Sequence, residues 1–156
     1  MNRPDFNQPP ELWLVDGSLR DVYIQDVTAS DWKALLDQAL ESTHQYSRDG
    51  EVRNIPEAAA ILEDKGHSHL LCIQIGQVKI HCHFFNAAEI ELDLEPRDVA
   101  SSNDHLALLQ FLENLGAAMQ KSVLISDEGN REHAYLRYEP LQGMWHVYQN
   151  SFRSDA

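Results

Sequence analysis

This chain of 156 residues has few cysteines and no long apolar segment, and each shortage excludes a class of protein. Its two cysteines are too few for the disulfide framework of a small secreted domain. No apolar run approaches the length of about 18 residues that a membrane-spanning helix needs, and the chain does not start like a signal peptide. We therefore expect a cytoplasmic protein.

Basic residues are also scarce. The chain has 12 Lys and Arg against 25 Asp and Glu, which gives a formal net charge of −13. Nucleic acids and anionic membranes are bound by clusters of Lys and Arg, so we expect neither as a partner. An excess of acidic residues is instead typical of a protein that depends on charge for its solubility or for binding a basic partner.

Signatures of known catalytic chemistry are missing as well. The seven glycines are isolated from one another, so none forms a phosphate-binding loop, and no G-x-S-x-G motif occurs. We expect no catalytic residue and no cofactor. An enzyme whose catalytic groups are distant in sequence stays open as an alternative.

The length and the 43% hydrophobic content fit one domain that is large enough to bury a core. The polar, proline-bearing residues 1–10 are expected to form a flexible N-terminal tail, residues 11–150 the domain, and residues 151–156 a C-terminal tail. Hairpin turn chemistry occurs at Asp16-Gly17 and Gly76-Gln77. Residues 43–54 are polar and turn-like around Asp49-Gly50. The segments predicted as strands are 12–15, 19–24, 70–75, 78–85, 89–94, 122–126, 134–138 and 144–148.

Helical periodicity is confined to three segments. Thr28 and Asp31 form a capping box before the first helix, Pro56 begins a short second one, and Ser101 or Ser102 caps the third. The side chains predicted to lie in the core are Trp32, Leu36, Leu40, Leu112 and Leu115. Together with the hairpins, this pattern predicts an α+β fold with a largely antiparallel sheet and two main helices packed on one face.

The hairpin around Gly76-Gln77 contains a candidate metal site. A two-residue turn places Cys72 opposite His81, with His83 diagonal to Cys72, on the face away from the core. Zinc accepts such ligands, but no fourth ligand is evident and the usual ligand spacings are absent. We therefore predict no metal here. A small-ligand or metal-binding domain built around the 69–85 hairpin remains an alternative function.

The strand over residues 89–94 alternates strictly between apolar and acidic side chains. Glu89, Glu91, Asp93 and Glu95 project to one side, and we predict that they bind a basic protein partner. A solvated sheet face that discourages aggregation is the alternative interpretation. Strand aromatics near these charges are candidate anchors, namely Trp13, Tyr23, Tyr138, Trp145 and Tyr148.

Three segments resemble small acidic bacterial proteins: DGSLRDVYIQD, CHFFNAAEIELDLEPRDV and FLENLGAAMQKSVLISDEGN. In size, acidity and α+β pattern the chain is similar to immunity proteins of bacterial toxin systems, which neutralise a cognate and often basic nuclease toxin. These families share no common signature, so the resemblance assigns no role to any residue. It implies a non-enzymatic protein-binding domain, with toxin neutralisation as its sharpest form.

Overall fold

The computed structural model describes residues 2–149, in which nine strands form one sheet whose neighbouring strands all run antiparallel. The strands are β1 (Arg20–Gln25), β2 (Thr43–Arg48), β3 (Glu51–Arg53), β4 (His69–Ile75), β5 (Val78–Asn86), β6 (Glu89–Leu94), β7 (Val123–Asp127), β8 (Asn130–Glu139) and β9 (Met144–Val147). Their order across the sheet is β3-β2-β4-β5-β6-β1-β7-β8-β9, so β1 pairs with both β6 and β7.

The helices are α1 (Ala29–Leu40), the short α2 (Ala58–Glu63) and α3 (Ser102–Met119). The predicted capping box of Thr28 and Asp31 begins α1, and Ser101 caps α3. The two long helices pack on one face of the sheet, which confirms the predicted fold class. Between residues 2 and 149, no helix combines the length and the apolar character needed to cross a membrane.

The core lies between the helices and one face of the sheet. Side chains that pair across neighbouring strands share a face, and one buried row runs from Val22 through Leu92 and Cys82 to Leu71. The α3 residues Leu108, Leu112 and Leu115 cover this face. Because both long helices lie on the same side, the opposite side of the sheet is left without helices.

The prediction of a hairpin around Asp16-Gly17 is wrong, because residues 12–15 do not form a strand. The buried Arg20 side chain explains the difference. Its guanidinium donates to the carbonyl oxygens of Leu12 at 2.7 Å and Leu14 at 3.0 Å. Carbonyls used in this way bind a side chain instead of a neighbouring strand.

The turn predicted at Asp49-Gly50 is confirmed, but the residues on either side of it are not turn-like, because they form the strands β2 and β3 of a hairpin. Both turn residues have positive φ, at 51° and 79°, as a tight hairpin turn requires. β3 is the edge strand of the sheet and β2 is its neighbour. Both are polar because this end of the sheet is mostly exposed, and Tyr46 is the one buried residue of the two strands.

Four of the five predicted core side chains are buried, and Leu40 is the exception at 52% exposure. Leu40 lies in the last turn of α1 and faces a cleft between α1 and α2 rather than the sheet. The cleft has a volume of about 900 Å³, and Leu36 and Leu62 also line it. Helical periodicity places Leu40 on the apolar stripe, but the short α2 does not cover it.

Residues 3–13, which we call the N-terminal strap, make specific contacts with α3. Arg3 forms two hydrogen bonds to Glu113 at 2.8 and 2.9 Å. The buried His105 ring joins two points of the strap: its Nδ1 accepts from Trp13 Nε1 at 2.9 Å, and its Nε2 donates to the Pro4 carbonyl at 2.7 Å. The composition alone suggested a loose tail here. The expected C-terminal tail at 151–156 lies outside the described residues.

Candidate binding face on the uncovered side of the sheet

The side of the sheet opposite the helices, which we call the outer face, collects the polar residues of β4, β5, β6 and β1. Strand β6 sets its character, because Ile90, Leu92 and Leu94 are buried and the acidic residues between them point the other way. The outer face includes Asp21, Tyr23, Cys72, His81, His83, Glu89, Glu91 and Asp93. The predicted alternation of β6 is therefore confirmed.

The predicted register of the β4–β5 hairpin is confirmed as well. Cys72 lies directly opposite His81 on the outer face, while Cys82 is fully buried on the core face. Both thiols are free. Burial raises the pKa of Cys72 and disfavours its thiolate. Between residues 2 and 149, no set of three His, Cys, Asp or Glu side chains is arranged to hold a metal ion.

Asp93 is paired with two histidines of β5. Its carboxylate lies 2.5 Å from His83 Nε2 and 3.4 Å from His81 Nδ1. Burial raises the pKa of Asp93, but the hydrogen bonds from His81 and His83 outweigh it and lower the pKa to about 2. The hydrogen bond that His83 donates to Asp93 also raises the pKa of His83, against the opposing effect of burial. Asp93 thus already has its contact partners within the chain.

Glu89 is paired with an arginine from the other half of the sheet. The Arg131 guanidinium lies 2.5 Å from the Glu89 carboxylate and 4.2 Å from the centre of the Tyr23 ring. Tyr23 donates in turn to Asp21 at 2.9 Å, and Asp21 also accepts from the Gly129 amide at 2.8 Å. The β7–β8 turn therefore folds onto the outer face, which explains why Asp21 and Tyr23 are buried.

Glu91 lies between these two pairs and differs from both. In the sheet register it is opposite His83 on one side and Tyr23 on the other. Within residues 2–149, its carboxylate has no hydrogen-bond or ion-pair partner, although it is only partly exposed. Burial, followed by the nearby charge of Asp21, raises the pKa of Glu91. Glu91 is therefore a partly buried carboxylate that forms no hydrogen bond or ion pair with the described residues.

The fourth predicted partner-binding residue, Glu95, is separated from this row. It follows the last residue of β6 and precedes a short 3₁₀ turn over Pro96–Asp98. Its carboxylate accepts from Arg97 at 2.7 Å. The structure thus brings Glu89, Glu91 and Asp93 together on the outer face, and places Glu95 beyond the end of the strand.

An exposed aromatic ring lies beside the acidic row. Phe85 is 75% exposed, and its ring stacks on His83 with centroids 4.9 Å apart and an interplanar angle of 7°. Phe85 was not among the predicted site residues, although its alternation along β5 places it on the same side as His81 and His83. Of the aromatics proposed there as anchors, Tyr148 is partly exposed and the others are buried, namely Trp13, Tyr23, Tyr138 and Trp145.

Comparison of this chain with protein-family models, with curated protein sequences and with solved structures returned no match. The resemblance to immunity proteins therefore stays a prediction. The unpaired Glu91 and the exposed Phe85 are the features of the outer face from which a function can be argued.

Proposed function

We propose that this chain is a non-enzymatic binding protein whose outer face docks a basic protein. In its sharpest form, the chain is a cytoplasmic immunity protein that neutralises a basic bacterial toxin. The observation that carries the proposal is Glu91, a partly buried carboxylate that forms no hydrogen bond or ion pair among residues 2–149, although His83 and Arg131 are near enough to lower its pKa in part. A Lys or Arg side chain of the partner supplies a direct counter-ion.

The surroundings of Glu91 favour a charge-assisted contact. Neighbouring side chains already exclude part of the water, so an incoming guanidinium or ammonium loses less to solvent screening than it does at an exposed carboxylate. Asp93 and Glu89 are held in place by His83 and Arg131. The partner therefore meets a surface whose charges are already oriented.

Phe85 provides an apolar anchor next to this charge. Hot spots in protein interfaces are enriched in aromatic and Arg side chains and are surrounded by polar residues that exclude water. Phe85 lies on a strand, and its stacking on His83 limits the orientations of its ring. Burying this ring under a partner removes apolar surface from water at little cost in side-chain freedom.

The net charge of −13 supports the choice of a basic partner. Charges of one sign across a surface accelerate the encounter with an oppositely charged protein, and salt suppresses this effect. Contacts at Glu91 and Phe85 then determine how long the complex persists, because most affinity differences between related complexes lie in the dissociation rate.

The test is affinity capture from the native host with the immobilised chain, followed by association rates at low and high salt for the protein that is captured. The double variant Phe85→Ala/Glu91→Gln should lose a basic protein that the wild type retains. The control is Leu141→Ala/Glu51→Gln, which changes an exposed apolar side chain and an exposed glutamate elsewhere. Equal capture by both double variants would place the interface elsewhere and refute the proposal.

A second candidate function rests on the cleft between α1 and α2. Its volume of about 900 Å³ and its mostly apolar lining are typical of sites that bind small apolar molecules. Native mass spectrometry of the chain purified from its host would reveal such a ligand. Leu40→Asp should abolish its retention, whereas Leu141→Asp, at another exposed leucine, should not.

A further inference from the structure

The two histidines of the outer face lie where their charge affects a bound cation. His81 and His83 flank Asp93, and His83 is directly opposite Glu91 in the β5–β6 register. The Phe85 ring stacks on His83 itself. A cationic side chain that contacts Glu91 and Phe85 is therefore next to the His83 imidazole.

Charged and titratable groups approach His83 from several strands. They are Cys72 of β4, His81 of the same strand, Glu91 and Asp93 of β6, Asp21 of β1, and Arg131 of β8 above Tyr23. With both histidines neutral, the carboxylates of Asp21, Glu89, Glu91 and Asp93 outnumber the Arg131 charge by three. Protonation of both histidines reduces this excess to one.

The chemistry of these groups brings the change into an accessible pH range. An unperturbed histidine titrates near pH 6.5, and the hydrogen bond that His83 donates to Asp93 raises the pKa of His83. A positive charge on this ring, beside Glu91, makes the outer face less attractive to a cation.

We propose that His81 and His83 link binding at the outer face to protons, so that a basic partner bound above neutral pH is released as the two histidines become charged. This inference rests on the proposed function and adds a means of regulation to it. By reciprocity, a bound cation makes it harder for the two histidines to take up protons.

The test measures binding of a fluorescent hexa-arginine peptide by anisotropy at pH 8, 7 and 6 and at constant ionic strength. For the wild type, the Kd should rise about tenfold between pH 8 and pH 6, because positive charge is added beside the site. The variant His81→Gln/His83→Gln keeps N–H donors for Asp93 but cannot become charged, and its Kd should change little with pH. The control His67→Gln alters another His–Asp pair, with Asp49 at 2.7 Å, and should behave as the wild type.

The outcomes separate this inference from the proposed function. If the wild-type Kd does not vary with pH while Phe85→Ala/Glu91→Gln still abolishes binding, the proton linkage is refuted and the binding face stands. Persistence of the pH dependence in His81→Gln/His83→Gln also refutes the linkage. If Phe85→Ala/Glu91→Gln leaves peptide binding unchanged at every pH, both proposals fail.

A second measurement does not depend on the double histidine variant folding. Histidine ring resonances of the wild type are titrated by NMR with and without the peptide. The proton linkage requires that the midpoint of His83 moves to lower pH when the peptide is bound. An unchanged midpoint at saturating peptide overturns the proposal.

Discussion

The N-terminal strap and the outer face each contain an acidic side chain shielded from water, but only the one under the strap has hydrogen-bond partners. Glu113, under the strap, accepts two hydrogen bonds from Arg3 and one from Trp145 Nε1 at 2.8 Å. Burial raises the pKa of Glu113, but these hydrogen bonds outweigh it and lower the pKa. Glu91 has no such partner within residues 2–149, and its pKa is raised.

The contrast separates a stabilising contact from a candidate binding contact. A chain that supplies every hydrogen bond to a buried carboxylate obtains stability from it. A shielded carboxylate without a partner adds little to the free energy of unfolding. Its favourable interaction with a cation forms only when a binding partner supplies one. Functional sites commonly contain such side chains.

The largest effect on stability is expected for Glu113→Ala. The change leaves the Trp145 N–H and the Arg3 guanidinium without their acceptor, and we expect a loss of about 2–4 kcal/mol in the free energy of unfolding. Urea denaturation measures this loss. Glu132→Ala, at an exposed position, is the control and should change the stability by less than about 0.5 kcal/mol. A similar change in stability for the two variants would mean that the hydrogen bonds to Glu113 do not stabilise the fold.

The strap should also respond to acid through His105. Burial lowers the pKa of His105 and outweighs the hydrogen bond to the Pro4 carbonyl, which raises it. The neutral ring can then accept from the Trp13 N–H while it donates to Pro4. A depressed histidine pKa contributes stability above the unfolded value of about 6.5, and this stability is lost as the pH falls towards the folded value. We expect a loss of about 1–3 kcal/mol from the broken contacts. Faster proteolysis of the strap at pH 5 than at pH 7.5 would report it, and equal rates would contradict it.

The outer face should show the opposite pH dependence, and Asp93→Asn tests it. The raised pKa of His83 gives stability that is present below about pH 6.5 and is lost as the pH rises through the folded value. The pKa of about 2 for Asp93 means that its stability is lost only as the pH falls towards 2. Asp93→Asn should therefore cost about 1 kcal/mol near pH 5.5 and less at pH 8.5. A larger cost at pH 8.5 would reverse the assigned sign.

The smallest effect on stability is expected for Glu91→Gln. The carboxylate has no partner to lose within the described residues, so the free energy of unfolding should change by less than about 0.5 kcal/mol, with a gain as readily as a loss. The same variant should bind the partner more weakly. A marked loss of stability would mean that Glu91 supports the fold and is not held ready for a partner.

Local patterns in the sequence predicted much of the fold. The capping box of Thr28 and Asp31, the β4–β5 register around Gly76-Gln77 and the alternation of β6 each depend on residues close together in the chain. Short-range steric and hydrogen-bonding preferences determine such features. The structure therefore reproduces them with only small changes in their boundaries.

The features that the sequence did not reveal depend on distant residues. Leu12 and Leu14 lie in a loop because their carbonyls accept hydrogen bonds from Arg20. The strands β2 and β3, at one end of the sheet, are too polar to show a buried face. In the candidate site, Glu89 and Glu91 are equivalent in sequence pattern. Only the approach of Arg131, 42 residues from Glu89, makes one paired and the other unpaired.

The central position of β1 has a consequence for how the chain folds. Each of its neighbours belongs to a group of strands built from later segments: Arg20 pairs with Leu94 on one side and with Asp127 on the other. The loops that these ladders close are among the longest in the sheet, and long loops are closed late because of their entropy cost. We expect pulse-labelled hydrogen exchange to show the β1 amides protected after those of the β4–β5 hairpin. The first strand of the sheet in chain order would then be the last to join it.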